Sequence, residues 1–333
     1  MKIRDVARAA GVAVGTVSRV LNQNPTVAEP IRRKVQAAIE ALGYERDLIA
    51  QSMRGGATKL VACAIRDFDI PRFGAYIKEA ERVLRDNGYT LLLSSTTNSP
   101  VVELELLRAF SRRRVDGVMM TISDEQHPSV AAAVAASSMP ILLIDRDHIA
   151  SLDRVIVDHR SGALLAVRHL IDLGHRRIAM LVGDTKAYPS RSRVEGYHEA
   201  FARMSLRPEP ELLRDHVLTQ EDAFRETMFL LDSPDPPTAI FVAAMDMLGG
   251  SLRAIRTLGR DVGKDVSLVA GSDSDLAELY TPPITAIRWD LAEMGRHAAT
   301  MLLERMRGLT PPSARQVRLP CTLVIRASAN PTG

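Results

Sequence analysis

Two groups of side chains could do chemistry in this 333-residue chain, and both would recognise negative charge or base edges rather than break bonds. In the run Val14-Gly15-Thr16-Val17-Ser18-Arg19, helical spacing places Val14, Gly15, Ser18 and Arg19 on one outward face. A guanidinium fork there can take both acceptors of a guanine edge, Val14 can touch a thymine methyl, and Gly15 lets a backbone approach closely. Thr16, Ser18 and Asn22 are short polar groups suited to phosphate oxygens, which position a helix without reading sequence. The second group is Arg146, Arg191 and Arg193, whose guanidinium forks match carboxylate or phosphate. Acid–base and nucleophilic machinery is missing. The chain has no GxGxxG fingerprint, P-loop, GxSxG elbow or HExxH helix. Its eight histidines are scattered, with His169 and His175 fitting a helix surface and a loop better than a metal pair. Asp273-Ser274-Asp275 lacks the Gly and Glu of a calcium loop. The expectation is therefore a non-enzyme with no metal and no cofactor.

The elements that must position these groups divide the chain unequally. Residues 1–59 hold 10 Lys and Arg against 5 Asp and Glu, which leaves 33 against 35 for the remainder, so a basic head sits on a faintly acidic body. That asymmetry is what a nucleic-acid-binding module fused to a sensing module would show. Within the head, apolar residues follow a helical period at Ile3, Val6, Ala7 and Ala10, then Val14, Val17, Val20 and Leu21, then Ile31, Val35, Ala38, Ile39 and Leu42. Gly11-Val12-Ala13 makes the tight turn of a helix-turn-helix, Asn22-Gln23-Asn24-Pro25 breaks the chain, and Gly43 ends the third helix. The second helix, about Val14 to Leu21, is the one expected to enter the major groove.

From residue 60 the pattern changes to short apolar runs between amphipathic stretches. LVACAI (60–65), YTLLLSS (89–95), GVMMTI (117–122), ILLID (141–145) and VIVD (155–158) form one set; RRIAMLVG (176–183), TAIFVAA (238–244), VSLVAG (266–271) and ITAIRW (284–289) form a second. Continuous apolar runs of this kind predict two parallel sheets with helices on both faces. Ligands of such sheets sit beyond the carboxyl ends of the strands, which draws attention to Asp69 to Phe73, Asp145-Arg146, Arg191, Arg193 and Asp273. Cys63 and Cys321 lie far apart in apolar surroundings and are read as reduced thiols. No run reaches the ~18 apolar residues of a membrane span, and the opening Met1-Lys2-Ile3-Arg4-Asp5 is unlike a secretory leader, so a cytoplasmic location is expected.

The run IRDVARAAGVAVGTVSRVLN, followed by RRKVQAAIEALGY, resembles the lactose/galactose repressor (LacI/GalR) family of bacterial transcription regulators. The similarity continues through RRRVDGVMM, LIDLGHRRIAMLVG, PDPPTAIF and YTPPITAIRWDLAEMGRHAA. It implies an all-α DNA-binding head over 1–58 and an effector-binding and dimerisation body over 59–333. The body would be two doubly wound lobes of periplasmic-binding-protein type, one about 60–158 plus 291–319 and the other about 160–288 plus 322–330. Three crossings would join them near Val157–His159, Trp289–Leu291 and Leu319–Thr322.

The same resemblance implies a hinge helix over 47–54 that orders on binding and wedges an apolar side chain into the minor groove, with Ala50, Met53 and Arg54 at the DNA. Met53 stands where the family usually has Leu, and Arg46 where it often has Pro. Lys2 and Ala28 replace usual helix caps, a loss of about 1 kcal/mol each that Asp5 and Glu29 can partly offset through the helix dipole.

For the body the resemblance marks Phe73, Arg146, Arg191, Arg193, Leu218, Asp246 and Asp273 as effector contacts. Arg193 matches the Arg of an R-x-x-G-aromatic pattern in RVEGY, and Asp273 matches the Asp after a VxGxD strand end, where it should face Arg193 across the crevice. Ala244-Met245 replaces a frequent Asn-Asp, with Asp246 one place late, and Leu218 occupies a position that is often aromatic. These departures favour a sugar acid or phosphorylated metabolite over a neutral hexose. The implied function is a sequence-specific transcriptional regulator, a repressor, that binds near-palindromic operator DNA as a homodimer or tetramer under control of a small-molecule effector. A regulator controlled by a protein partner is the alternative, and a nucleotide-dependent α/β enzyme is a remote one.

Overall fold

The computed structural model describes residues 2–21, 24–44, 57–68, 73–244 and 246–332. They form two compact units, residues 1–58 and 59–333.

In the head, α1 (Ile3–Ala10), α2 (Val14–Leu21) and α3 (Glu29–Leu42) follow the apolar periodicity. Gly11 closes α1 with φ +65° and Gly43 closes α3 with φ +55°, a left-handed conformation that costs glycine little and β-branched residues much. The absent Ser or Thr cap of α1 is partly replaced. The Lys2 amide donates to the Asp5 carboxylate at 2.9 Å, so the acidic residue at the third helical position satisfies an amide that no helical carbonyl reaches. Val6, Val17, Val20, Val27 and Val35 form the core, and Val12 packs against it from the turn.

The body contains two six-stranded sheets. The first has the order β11-β5-β4-β3-β1-β2, built from β1 (Leu60–Ile65), β2 (Thr90–Ser95), β3 (Gly117–Met120), β4 (Ile141–Ile144), β5 (Asp153–Val157) and the late strand β11 (Gln316–Leu319), all parallel. The second has the order β12-β10-β9-β8-β6-β7. Its strands are β6 (Ile178–Leu181), β7 (Leu213–Arg214), β8 (Ala239–Val242), β9 (Ser267–Ala270), β10 (Thr285–Arg288) and β12 (Thr322–Val324), the last antiparallel to β10. The chain therefore passes between the sheets three times. Strands β7, β11 and β12 are absent from the apolar pattern because each is a short edge strand with polar residues, where one side of the ladder meets no neighbour.

The central strands are buried on both faces, which is why they read as unbroken apolar runs rather than alternating ones. Val61, Cys63 and Ile65 face Tyr76, Ala80 and Leu84 of α4 (Phe73–Asp86) and Met294, Ala298 and Leu302 of α12 (Leu291–Met306). Ala62 and Ala64 face the opposite layer, which contains α5 (Pro100–Arg112) and α6 (Pro128–Ala135). Each fully buried Leu, Ile or Val contributes about 1.5–3 kcal/mol. The second sheet is covered by α7 (His159–Asp172) and α8 (Tyr188–Arg203) on one face, and by α9 (Gln220–Leu231), α10 (Leu248–Thr257) and the short α11 (Asp275–Leu279) on the other. A Cβ on Gly196 would lie 2.2 Å from the Arg160 carbonyl oxygen, so α8 seats on α7 only because that position is glycine. This contact sets the height of α8, and with it the place of Arg193.

Among the described residues both cysteines are free, Cys63 buried and Cys321 partly so. No helix of the described residues is long and apolar enough to cross a membrane.

Candidate functional site

Two surfaces gather the residues singled out above. On α2, Val17 and Val20 turn into the head core, which leaves Val14, Gly15 and Arg19 exposed and Thr16 and Ser18 half-buried. Val14 keeps 40% of its surface in solvent, and a Cβ on Gly15 would meet no atom within 4 Å. Arg19 reaches back to the Gly15 carbonyl at 3.3 Å and pairs with no carboxylate among the described residues. A cation left without an acid beside an exposed valine and an open backbone is an arrangement that a DNA groove can fill. Asn22, Ala50, Met53 and Arg54 lie outside the described residues.

In the body, a cavity of about 180 Å³ opens where the carboxyl ends of the two sheets converge. Its wall is built from residues that follow strands: Arg66 after β1, Asp145 and Arg146 after β4, Asp184 after β6, Ala244 and Asp246 after β8, and Trp289 after β10. Phe73, Leu218 and Arg193 complete the group that concerns recognition. Three guanidinium groups thus face one small space, in three different states.

Arg66 is neutralised by the Asp246 carboxylate, to which it donates. Arg146 donates through Nε to the Ile122 carbonyl and through a terminal nitrogen to the Asp145 carbonyl at 2.7 Å, while the nearest Glu125 oxygen stands 4.0 Å away. Arg193, on the second turn of α8, is 7% exposed and has no hydrogen bond or ion pair among the described residues. Burial pushes its guanidinium below the ordinary arginine value, opposed by the charges of Asp145 and Asp246. One further donor on the wall, Trp289 Nε1, is buried with no partner among the described residues, whereas Ser123 sits beside the buried Glu103 carboxylate, which accepts from its amide at 2.7 Å. Unpaired buried polar groups are costly, and a cation more so than a neutral donor. A cavity with such a guanidinium on its wall suits a ligand that brings an acceptor.

Beneath the wall, Asp145 accepts from the Val157 amide at 3.1 Å and contacts His159 Nε2 at 2.7 Å, while its backbone takes φ +54°. Burial alone would raise its carboxyl, but the His159 and Arg146 contacts outweigh that and hold it below the usual carboxylate range. Burial, reinforced by Arg193, pushes His159 below the usual imidazole value. The pair is thus a carboxylate accepting from a neutral ring, and the ring's edge meets Trp289 at a centroid distance of 5.5 Å.

Of the seven body residues expected at the effector, five line this cavity: Phe73, Arg146, Arg193, Leu218 and Asp246. Arg191 does not. It turns to Asp147 at 2.6 Å, because residues two positions apart on a helix point to nearly opposite sides. Asp273 does not stand opposite Arg193 either. It lines an adjoining cavity that shares only Trp289 and Leu291 with the first, and its carboxylate is held by Arg288 at 2.6 Å and Arg326 at 2.8 Å. Arg288 ends β10 and Arg326 follows β12, 15 and 53 residues along the chain, which local spacing could not foretell. The reading also passed over Arg66, Ser123 and the hydrogen-bonding role of Trp289. Arg66 directly follows an apolar strand, the signal that had marked Arg146.

Comparison with known proteins bears on both surfaces. A profile described as bacterial regulatory proteins, lacI family, matches residues 2–47, and one described as a periplasmic binding protein-like domain matches residues 167–329. The chain is 31% identical over 329 residues to the HTH-type transcriptional repressor PurR of Haemophilus influenzae (strain PittEE), covering 98% of each protein. It is 29% identical over 332 residues to the HTH-type transcriptional regulator DegA of Bacillus subtilis (strain 168), covering 99% of this chain and 98% of that one. Among solved structures it is similar to the lac repressor dimer bound to operator and the anti-inducer ONPF, with a TM-score of 0.87, 28% identity and 99% of each chain covered.

Proposed function

Because the chain belongs to the lacI family of bacterial regulatory proteins, we propose that it is a cytoplasmic repressor whose hold on operator DNA is set by an anionic metabolite in the body cavity. The family is one of DNA-binding transcription regulators under small-molecule control, and a head and body of this kind divide that labour. In the head, Arg19 reads a guanine edge, Val14 and Gly15 meet the groove floor, and Thr16, Ser18 and Asn22 hold phosphates. Ala50, Met53 and Arg54 form the minor-groove contact. The protein acts as a homodimer on a near-palindromic site, since a two-fold protein reads a two-fold site. Leu276 and Leu279 on α11, 46% and 80% exposed, are apolar surface available for the partner subunit.

The observation that carries the effector class is Arg193, a buried guanidinium with no acidic partner at the wall of a closed-in cavity. A carboxylate or phosphate of the ligand completes it. Arg66 is already neutralised by Asp246, and Arg146 is offset by the buried Glu125 and the adjoining Asp145, so one anionic group rather than two is the charge the cavity accepts.

Thermal unfolding of the purified protein against paired compounds tests this. A sugar acid or sugar phosphate should raise the midpoint where its neutral parent does not, by the linkage that makes any ligand of the folded state stabilising. Stabilisation by neutral sugars or nucleosides alone would overturn the anionic class and leave the regulator assignment standing.

A further inference from the structure

Glu125 lies outside the cavity wall, 1% exposed, in the loop between β3 and α6. Its two carboxylate oxygens are shared between the halves of the body. Oε2 accepts the amides of Asp147 and His148, both at 2.8 Å, in the loop after β4 that carries Arg146. Oε1 accepts the amide of Tyr188 at 2.6 Å, and Tyr188 is the first residue of α8, the helix that carries Arg193. Arg146 and Arg191 each stand 4.0 Å from the same Oε1.

We propose that Glu125 is a positioning residue for effector control. Its buried carboxylate clasps the first half of the body to the N-terminus of α8 and so fixes the spacing between Arg146 and Arg193.

Three considerations carry this. First, the amides at a helix start have no helical carbonyl to bond, so the Tyr188 amide gains its acceptor only while the two halves are together. Second, a carboxylate at the N-terminal end of a helix is favoured by the helix dipole as well as by the bond itself. Third, two neighbouring links across the same seam are exposed or partly so. Arg191 meets Asp147 at 2.6 Å with the two side chains 31% and 37% exposed, and Lys186 meets Asp124 at 3.6 Å with Lys186 60% exposed. Solvent-screened pairs of that kind contribute little, whereas a buried acceptor that loses its donors is strongly disfavoured. Buried links also cross the seam from the Tyr188 hydroxyl to the Val157 carbonyl at 2.8 Å and between His159 and Asp145 at 2.7 Å, and Glu125 adds the buried one that joins the 147–148 loop to the start of α8. Parting the halves frees Glu125 from Tyr188 and also loosens the loop that aims Arg146. A ligand that bridges Arg193 to the opposite wall would therefore stabilise the clasped arrangement in particular, which is the differential affinity that control requires. This step rests on the cavity being the effector site, but the clasp itself can be measured without any ligand.

The experiment is amide hydrogen exchange of the full chain, wild type beside Glu125→Gln and Arg193→Ala. In the wild type the Tyr188 amide should be protected to the level of the central strands, although amides at that helical position ordinarily exchange fast. Glu125→Gln keeps size and packing but presents an NH₂ to one set of donors. Protection should then fall by at least about tenfold at the set that meets the NH₂, either Asp147 with His148 or Tyr188, with β1 and β4 unchanged. Arg193→Ala should leave all three amides as in the wild type, so a failure of the ligand reading remains distinct from a failure of the clasp. Inorganic phosphate at millimolar concentration serves as the anion probe, and it should raise protection at Tyr188 in the wild type but not in Arg193→Ala. An unprotected Tyr188 amide in the wild type overturns the proposal whether or not the variant folds. So does a Glu125→Gln protein in which all three amides stay protected.

Discussion

Arg19 in the head and Arg193 in the body both lack a carboxylate partner among the described residues, yet their surroundings are opposite. Arg19 is exposed on a short helix, whereas Arg193 is buried beneath a cavity wall. An exposed cation loses little by waiting in water, and what it gains from a polyanion is largely the release of counterions. A buried cation has already surrendered its hydration, and it recovers that loss only from a group of the right charge delivered to one place. The first arrangement suits a long, repetitive partner whose grip depends on salt; the second suits a small one recognised by fit.

This contrast can be broken most completely by separating the units. A protein comprising residues 60–333 should stay folded and keep its ligand-induced thermal shift while losing all measurable affinity for operator selected from a random duplex library. Retained operator binding by that fragment would assign DNA recognition to the wrong region. Salt should separate the two sites almost as sharply. If the dimer makes about 6–10 phosphate contacts, operator affinity should drop by about 10³-fold or more between 50 and 200 mM salt. Anion binding at Arg193, shielded by burial, should change by less than about tenfold over the same range.

Smaller effects sharpen the comparison residue by residue. Arg19→Ala should cost about 1–3 kcal/mol and relax preference at one base pair of each half-site. Equal weakening over every site in a binding library would make Arg19 a phosphate contact instead. Arg193→Met should abolish effector response, a coupling of about 1–3 kcal/mol, and leave ligand-free operator affinity within about threefold. The same substitution removes an uncompensated buried charge, so in the absence of ligand its thermal midpoint should rise rather than fall. A lowered midpoint would show that Arg193 is satisfied within the chain.

The smallest effect concerns acid. His159 titrates below its ordinary value of 6.5 in the folded protein because burial disfavours the charged ring, so the unfolded chain takes up its proton first on acidification. Stability should therefore decline as pH falls below about 6.5, with the unfolded state binding the extra proton. His159→Gln should flatten that decline below about pH 6.5. The Asp145 carboxylate, held low, adds its own loss only at more acidic pH. An unchanged slope in the variant would place the titration at His169 or His175, which burial also lowers.

Periodicity made much of this fold legible. The boundaries of α2 and β1 coincide with the apolar patterns that announced them, and the glycines at 11 and 43 stand where the helices stop. Helical repeats and doubly buried strands are local signals, carried within a few residues. What stayed hidden involves partners distant in sequence. Asp273 is bound by Arg288 and Arg326, Arg66 by Asp246, and Glu125 by an amide 63 residues away. No spacing rule connects such positions, because the sheet order that unites them is set by packing of whole elements. A residue placed after a strand announces that it faces the crevice end of a sheet. Whether its charge is already spent there depends on neighbours contributed by the other strands.

The strands β11 and β12 have a consequence for how the molecule comes into being. β11 joins the first sheet beside β5, although five of the six strands of the second sheet lie between them in chain order. On a ribosome, residues 60–157 emerge and can collapse while the edge of β5 is still bare, and its mate arrives only after another 158 residues have been added. During that interval the Val155 and Val157 backbone is an open ladder that another nascent chain could join. Long-range closure of this kind is slow, because the loop entropy is met before the contact forms. Newly made protein should therefore depend on chaperone cover until its last twenty residues are free, and truncation just before Gln316 should yield aggregate rather than a smaller sensor.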